Sequence, residues 1–222
     1  VTAKAGYSAG STGVAGAVAV HVASVKTLAT VEDGASVTLG NGSLKLSSSA
    51  DQRIVTNADA SDNGHASAVG VGAGIAVGVS GMDTQSVIKD GAAIYNKEAT
   101  KLGEVSVTAE ASESQTLQAK AGSAGGISVT PVLALLVSGA DTRATIGKNP
   151  NNTLAVDGDL TIHAKSDLTR EMAANAAAAG SGAGVGGAFN ISVLNDTTNA
   201  RLSRSVNAKN VSVTSRARNR MH

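Results

Sequence analysis

Apolar and polar residues alternate along this chain in short runs, and the runs return at a fixed interval. With Thr27 as origin, the same column recurs at Thr84, Thr142 and Thr198, a period of roughly 57 residues with slips of one. Nine residues before each origin stand Val18, Ile75, Leu133 and Phe189. Seven before stand Val20, Val77, Leu135 and Ile191, and five before stand Val22, Val79, Val137 and Val193. Ala29, Ser86, Ala144 and Ala200 follow each origin by two residues, and Val31, Ile88, Ile146 and Leu202 by four. Period two marks a strand with one buried face. The alternation therefore predicts that Val18, Val20 and Val22 face a core, and that Thr27, Ala29 and Val31 continue as a second short strand.

Each unit has three parts. A Gly/Ala-rich lead-in comes first (5–15, 65–73, 121–126 and 173–187), then the anchored strand pair. Asp33-Gly34 and Asp90-Gly91 close the pair as turns, because Gly accepts positive φ. In the third unit Gly147-Lys-Asn-Pro-Asn-Asn152 makes a longer turn. The third part is another alternating strand, at Leu44–Leu46, Val105–Val107, Leu160–Ile162 and Val211–Val213, followed by a polar tract such as 48–62 or 109–120. Glu171–Ala179 has high helix propensity. Its counterparts are broken by Ser and Gly, and repeats share structure, so an extended conformation is expected there as well.

Strands and turns repeated without helical periods predict an all-β fold, a repetitive β-solenoid, with approximate units 1–62, 63–120, 121–179 and 180–222. One unit cannot bury its apolar side alone, so neighbours stack into a continuous core. A unit divides into three coils of about 19 residues, which gives a rod about 58 Å long; alternatively, each unit is one or two wide coils.

Composition narrows the class. Hydrophobic residues make up 42% of the 222, yet there are one Phe, two Tyr and no Trp, so Ala, Val, Leu and Ile carry the apolar content beside 26 Gly. Small and β-branched residues suit thin stacked strands better than an aromatic-rich enzyme core. The net charge of +1 supplies no field to gather nucleic acid or an anionic membrane. Cysteine is absent, which removes disulfides and thiol chemistry. The start Val1-Thr-Ala-Lys-Ala5 and the immediate onset of the first repeat read as a fragment of a longer array. No apolar run reaches the roughly 18 residues of a membrane span, so no membrane insertion is expected.

The recurring pattern, Gly-Ala-Val-Ala-Val followed by Thr, Ala, an aliphatic residue and Asp-Gly, resembles the β-helical repeats of very large bacterial exoproteins. These are filamentous-haemagglutinin-like adhesins, autotransporter passengers and the fusobacterial leukotoxin type. The resemblance runs through Val18–Gly34, Ile75–Gly91, Leu133–Gly147 and Phe189–Leu202 with the strands that follow them. It implies a right-handed parallel β-helix, secretion or surface display, and adhesive or stalk function. The partners it implies are a host glycan or matrix protein and neighbouring repeats of the same chain. It carries over no binding residue, because its members differ in what they bind.

Candidate chemistry is sparse. Gly182-Ala-Gly-Val-Gly-Gly187 matches a dinucleotide fingerprint, but it runs into the alternating strand Phe189–Val193 instead of a helix, so close strand approach explains it. Asp59-Ala-Ser-Asp-Asn-Gly64 resembles half of a calcium loop and lacks the Glu at its twelfth position, which is Gly70. His21, His65, His163 and His222 are too scattered for a metal site; His21 and His163 are expected to point away from the core. Asp33, Asp90, Asp157 and Asp159 lie in turns and Glu110 and Glu113 in a polar tract, so no carboxylate pair marks a glycosidase, and Tyr7, Tyr95 and Phe189 are spread over different units. Arg216, Arg218 and Arg220 form a basic cluster without aromatics, read as a solvated coil end. Asn41, Asn151 and Asn195 begin glycosylation sequons of the kind expected by chance. The Thr columns lie a whole unit apart, unlike the dense Thr ladders of ice-binding surfaces.

The expectation is therefore a stalk or adhesive repeat segment, extracellular or at a bacterial surface, without catalytic, cofactor or metal residues. The alternative is a fragment of a β-helical polysaccharide-active enzyme or of a toxin passenger.

Overall fold

The computed structural model describes residues 1–6, 10–39, 42–62, 66–97 and 101–222. Its elements in chain order are β1 (Thr2–Gly6), β2 (Gly10–Val31), β3 (Ser36–Leu39), β4 (Leu44–Asp62), β5 (Ala66–Ile88) and β6 (Ala93–Asn96). Then follow β7 (Val105–Ile146), β8 (Leu154–Ala155), β9 (Asp159–Leu202), β10 (Val206–Asn207) and β11 (Asn210–Met221). The fold is all-β among the described residues, and every strand pair is parallel. Residues 171–179 are extended within β9, paired with 116–124, so the packed repeat overrides local helix propensity.

The columns read from the sequence are the hydrogen-bonding register. Thr27 pairs with Thr84, Thr84 with Thr142 and Thr142 with Thr198, steps of 57, 58 and 56 residues. Leu44, Val105, Leu160 and Val211 are likewise successive partners. Each unit is therefore a single wide layer stacked on the next. Four layers at strand spacing measure about 19 Å, so the division into coils of 19 residues does not occur.

Within a layer the chain runs along a front wall (β2, β5 and the second halves of β7 and β9), then through a short strand. It returns along a back wall (β4, the first halves of β7 and β9, and β11), with β1 paired to β4. The short strands β3, β6, β8 and β10 line a narrow third side. Here Ile88, Ile94, Leu102, Val105, Ile146, Leu154 and Leu160 form the most aliphatic cluster. The Asp-Gly turns form as expected, with Gly34 and Gly91 at φ 68° and 73°.

From Gly10 onward the lead-in and the anchored pair form one uninterrupted strand, β2, which reverses an expectation. Parity cannot change along a strand without a bulge, so Thr27, Ala29 and Val31 share a side with Ala15, Ala17 and Ala19. That side is the interior. Val18, Val20 and Val22 face outward, as do Ile75, Phe189 and Ile191. The facing wall decides the choice. Ala17 and Ala19 pack with Ala58, Ala60, Leu117 and Ala119. The backbones come so close that a Cβ added at Gly72 would lie 2.5 Å from the Gly122 carbonyl oxygen. At that point of the second layer no side chain fits, whereas in the third Val132 and Leu136 enter the columns of Gly74 and Gly78.

Overpacking this interior is the sensitive perturbation. Ala76→Leu, at a fully buried position, is expected to cost about 1–3 kcal/mol. Val20→Thr, on the outside, stays within about 0.5 kcal/mol. Urea unfolding midpoints of the two variants distinguish this packing from one with the valines inside, which would reverse their order.

Candidate functional site

The polar tract after each third strand continues the back wall, and its alternate residues enter the interior. Val105, Val107, Ala109 and Ala111 point inward, so Glu113 and Gln115 do too. In the next layer Leu160, Ile162 and Leu168 bring Arg170 inward by the same count. Arg170 and Glu113 side chains are 1% and 2% exposed and 2.6 Å apart. Arg170 also grips Asp196 of the fourth layer with two nitrogens, at 2.7 and 3.0 Å. Glu113 accepts a hydrogen bond from Gln115 at 2.7 Å, and the Ser80 hydroxyl lies 3.2 Å from it and 2.9 Å from Ser138. Asn219 donates to Asp196 at 3.1 Å. The cluster thus ties layers two, three and four across the interior.

Burial pushes the Glu113 carboxyl up, against the pull of Arg170 and the Ser80 hydrogen bond. Burial would lower the Arg170 guanidinium, but Asp196 and Glu113 together outweigh it and raise it. Both groups are sealed from solvent, and all but the Arg170 Nε bond to protein partners, so the cluster bonds layer to layer. A second polar anchor works at the turns. Arg204 donates to the Gly147 and Ala92 carbonyls, both at 2.8 Å. The Asn152 amide bonds the backbone of Ile94 at 3.2 and 3.4 Å, linking the β6 and β8 layers.

His21 is buried, contrary to expectation, because it shares the parity of Ala17 and Ala19. Its Nδ1 lies 2.6 Å from the Thr56 hydroxyl, and Nε2 has no partner. Gly78 in the next layer leaves room for the ring, since a Cβ there would stand 2.5 Å from Cε1. Burial, then the nearby N-terminal ammonium, lowers the imidazole pKa. His163 faces outward as expected, 2.7 Å from the Thr214 hydroxyl. His65 lies outside the described residues, as do Tyr7, Asn41 and the end of the Asp59–Gly64 run.

The other sequence candidates fall apart in space. Gly182–Gly187 lies inside β9 with strand on both sides, which is not the strand-to-helix turn a dinucleotide site needs. Asp59 is part of β4, where its carboxylate accepts bonds from the Ser61 amide at 3.0 Å and the Ser61 hydroxyl. Among the described residues no group of three His, Asp or Glu stands close enough to hold a metal. Asp90 accepts from the Lys148 amide, Asp159 from Asn210, and Asp157 pairs with Lys101. Thr84 and Thr142 are fully buried, so that column presents nothing to ice. Asn151 and Asn195 are exposed.

Two of the shallow depressions on the exterior lie beside paired charges. One of about 470 Å³ crosses the front wall along Ser24, Gly81, Gly139 and Asn195, beside Lys26, Asp83, Asp141 and Arg143. Its charges pair with each other, Lys26 with Asp83 at 3.9 Å and Arg143 with Asp141. The other, about 230 Å³, lies on the back wall between Lys165, Asp167, Arg216 and Arg218. Arg218 pairs with Asp167 at 3.8 Å, and Arg216, Arg218 and Arg220 project from β11 as an exposed row.

Arg170→Met leaves two buried carboxylates without their cation, and a loss of about 3–5 kcal/mol in unfolding free energy is expected. For His21, the unfolded chain binds a proton near pH 6.5 more readily than the folded one does. Its contribution is therefore complete above that pH and is lost as pH falls through the lowered folded value. Wild-type melting temperature should drop between pH 7 and 5, and His21→Gln should flatten that decline. Neither a protein-family model, nor a curated protein, nor a solved structure matches the chain.

Proposed function

We propose that this chain is a load-bearing segment of a β-solenoid, a right-handed parallel β-helix with one 57-residue unit per coil, serving as the stalk of a secreted or surface-displayed bacterial adhesin. One observation supports it above the rest: all four units stack through continuous parallel ladders on both walls. Such a ladder resists bending and shear, because many backbone hydrogen bonds must open together. The buried Arg170 cluster and the Arg204 and Asn152 anchors reinforce it by bonding layer to layer. Handedness follows from the rule for parallel crossovers, in which a right-twisted strand packs back onto its sheet in only one sense.

The chemistry of the exterior agrees with this reading. The Arg170 cluster is sealed inside, and several outer charges pair with each other, Lys26 with Asp83, Arg143 with Asp141 and Arg218 with Asp167. The test is binding of the purified, labelled chain to glycan and matrix-protein panels, with cultured epithelial cells alongside and circular dichroism as the check of folding. A stalk gives a β-rich spectrum and no saturable binding. Saturable binding to one class of ligand would overturn the stalk in favour of an adhesive module, and turn substitutions would then locate its site.

A further inference from the structure

The outer side of the front wall is apolar without interruption. The columns that pass through Val14, Val18, Val20 and Val22 contain only Val, Ile, Leu and Phe in all four layers, and the column through Gly16 contains Gly, Ala and Pro. No side chain in these five columns carries a polar atom. They are most accessible in the outer layers, where Val22 is 77% and Phe189 64% exposed, and half-buried in the middle ones at Val77, Leu133 and Leu135. The β5–β7 ladder skips Gly72 and Ala73, opposite Thr130 and Pro131, but resumes with the same offset, so the columns stay aligned across the face. The same strands carry mostly Ala, with Val132 and Leu136, on their inner side. Apolar residues on both faces are the pattern of a parallel strand that is covered on both sides.

We propose that this face is the interface of a two-fold symmetric homodimer, in which a second copy of the chain lays its own front wall against it with the axis parallel to the strands. Layer one of each copy then covers layer four of the other, and layer two covers layer three. Residue size favours this orientation. The large Phe189 and Ile191 of layer four meet the smaller Val18 and Val20 of layer one, and Leu133 and Leu135 meet Ile75 and Val77. Three of the four opposed pairs in the central columns therefore join a larger residue to a smaller one, and the fourth, Leu133 with Ile75, is matched in size, which keeps the gap even for aligned sheet packing. A self-complementary patch of this kind closes as an isologous pair.

Area supports the same occupant. Four strands by eight residue steps span about 19 by 26 Å, or about 500 Å² of flat face per copy. A pair therefore covers about 1,000 Å² or more, the size at which stable association begins, and one copy alone is at the upper end of what monomers expose. A lipid surface is less well matched. The face holds a single aromatic, and the bordering Lys26, Asp83, Asp141 and Arg143 neutralise one another, so it lacks the aromatic and cationic rim of membrane-binding faces.

The proposal is independent of the stalk reading and is tested by sedimentation of the 222-residue chain over a wide concentration range. Wild type is expected to pass from monomer to dimer. Leu135→Arg, at the centre of the face, should raise the dissociation constant by at least about 30-fold with an unchanged circular dichroism spectrum. Should that variant unfold, Val77→Thr with Leu135→Thr makes the same test with β-compatible residues. Because the chain has no cysteine, V77C mixed with L135C should form a disulfide-linked dimer, and neither should do so alone. A monomer at every concentration overturns the proposal, as does a dimer indifferent to both sets of variants. Self-linking by V77C overturns the orientation. Flotation of the monomer with neutral phosphatidylcholine vesicles would assign the face to lipid instead.

Discussion

The separation between the two walls governs this molecule. Where the Gly72 backbone meets that of Gly122, and Gly74 that of Lys120, even a methyl group has no space. A gap that narrow is filled mostly by Ala, Gly, Ser and Thr, with Leu117, Val132 and Leu136 as the bulky side chains among them. The hydrophobic gain per layer is correspondingly small, since alanine buries little apolar area. Cohesion instead comes from close contact over a large area and from ladders that repeat in every layer. The third side, with Ile88, Ile146, Leu154 and Leu160, is where aliphatic bulk is packed.

A thin interior also explains the buried polar groups. Ser80, Glu113, Ser138, Arg170 and Asp196 meet across it because facing walls are near enough for side chains of one layer to reach those of the next two. Burying three charges costs desolvation that their attraction roughly offsets. What the cluster contributes is alignment: a slip of one residue in any strand would turn Arg170 or Glu113 to the outside and leave its partner buried without a counter-charge. Alanine columns alone distinguish registers poorly, and the ionic cluster supplies the discrimination they lack. Arg204, holding carbonyls of neighbouring turns, performs the same task at the edge of the layers.

The bulky residues excluded from the interior gather on the front wall's exterior, which gives the molecule one apolar side and leaves its charges paired at the borders. In the stalk proposed above, such a side would give lateral association a defined direction. Stiffness and lateral association would then share one cause, the narrow interior that sends Val, Ile, Leu and Phe outward.

The sequence by itself determined the repeat, its register and the turns. Thr27, Thr84, Thr142 and Thr198 pair as their spacing indicates, and Asp33-Gly34 and Asp90-Gly91 turn where glycine permits positive φ. It also held, unrecognised, the signal for the buried cluster: counting by twos from Val105 reaches Glu113, and from Leu160 reaches Arg170. Which parity faces inward was not legible, because β2 offers an apolar set on each side, Ala15, Ala17 and Ala19 or Val18, Val20 and Val22. Hydrophobicity alone favours the valines. Only the approach of a back wall 35 to 45 residues away in sequence, Ala58 and Ala60 against Ala17 and Ala19, chooses the alanines, because a strand's face is decided by what fits opposite it.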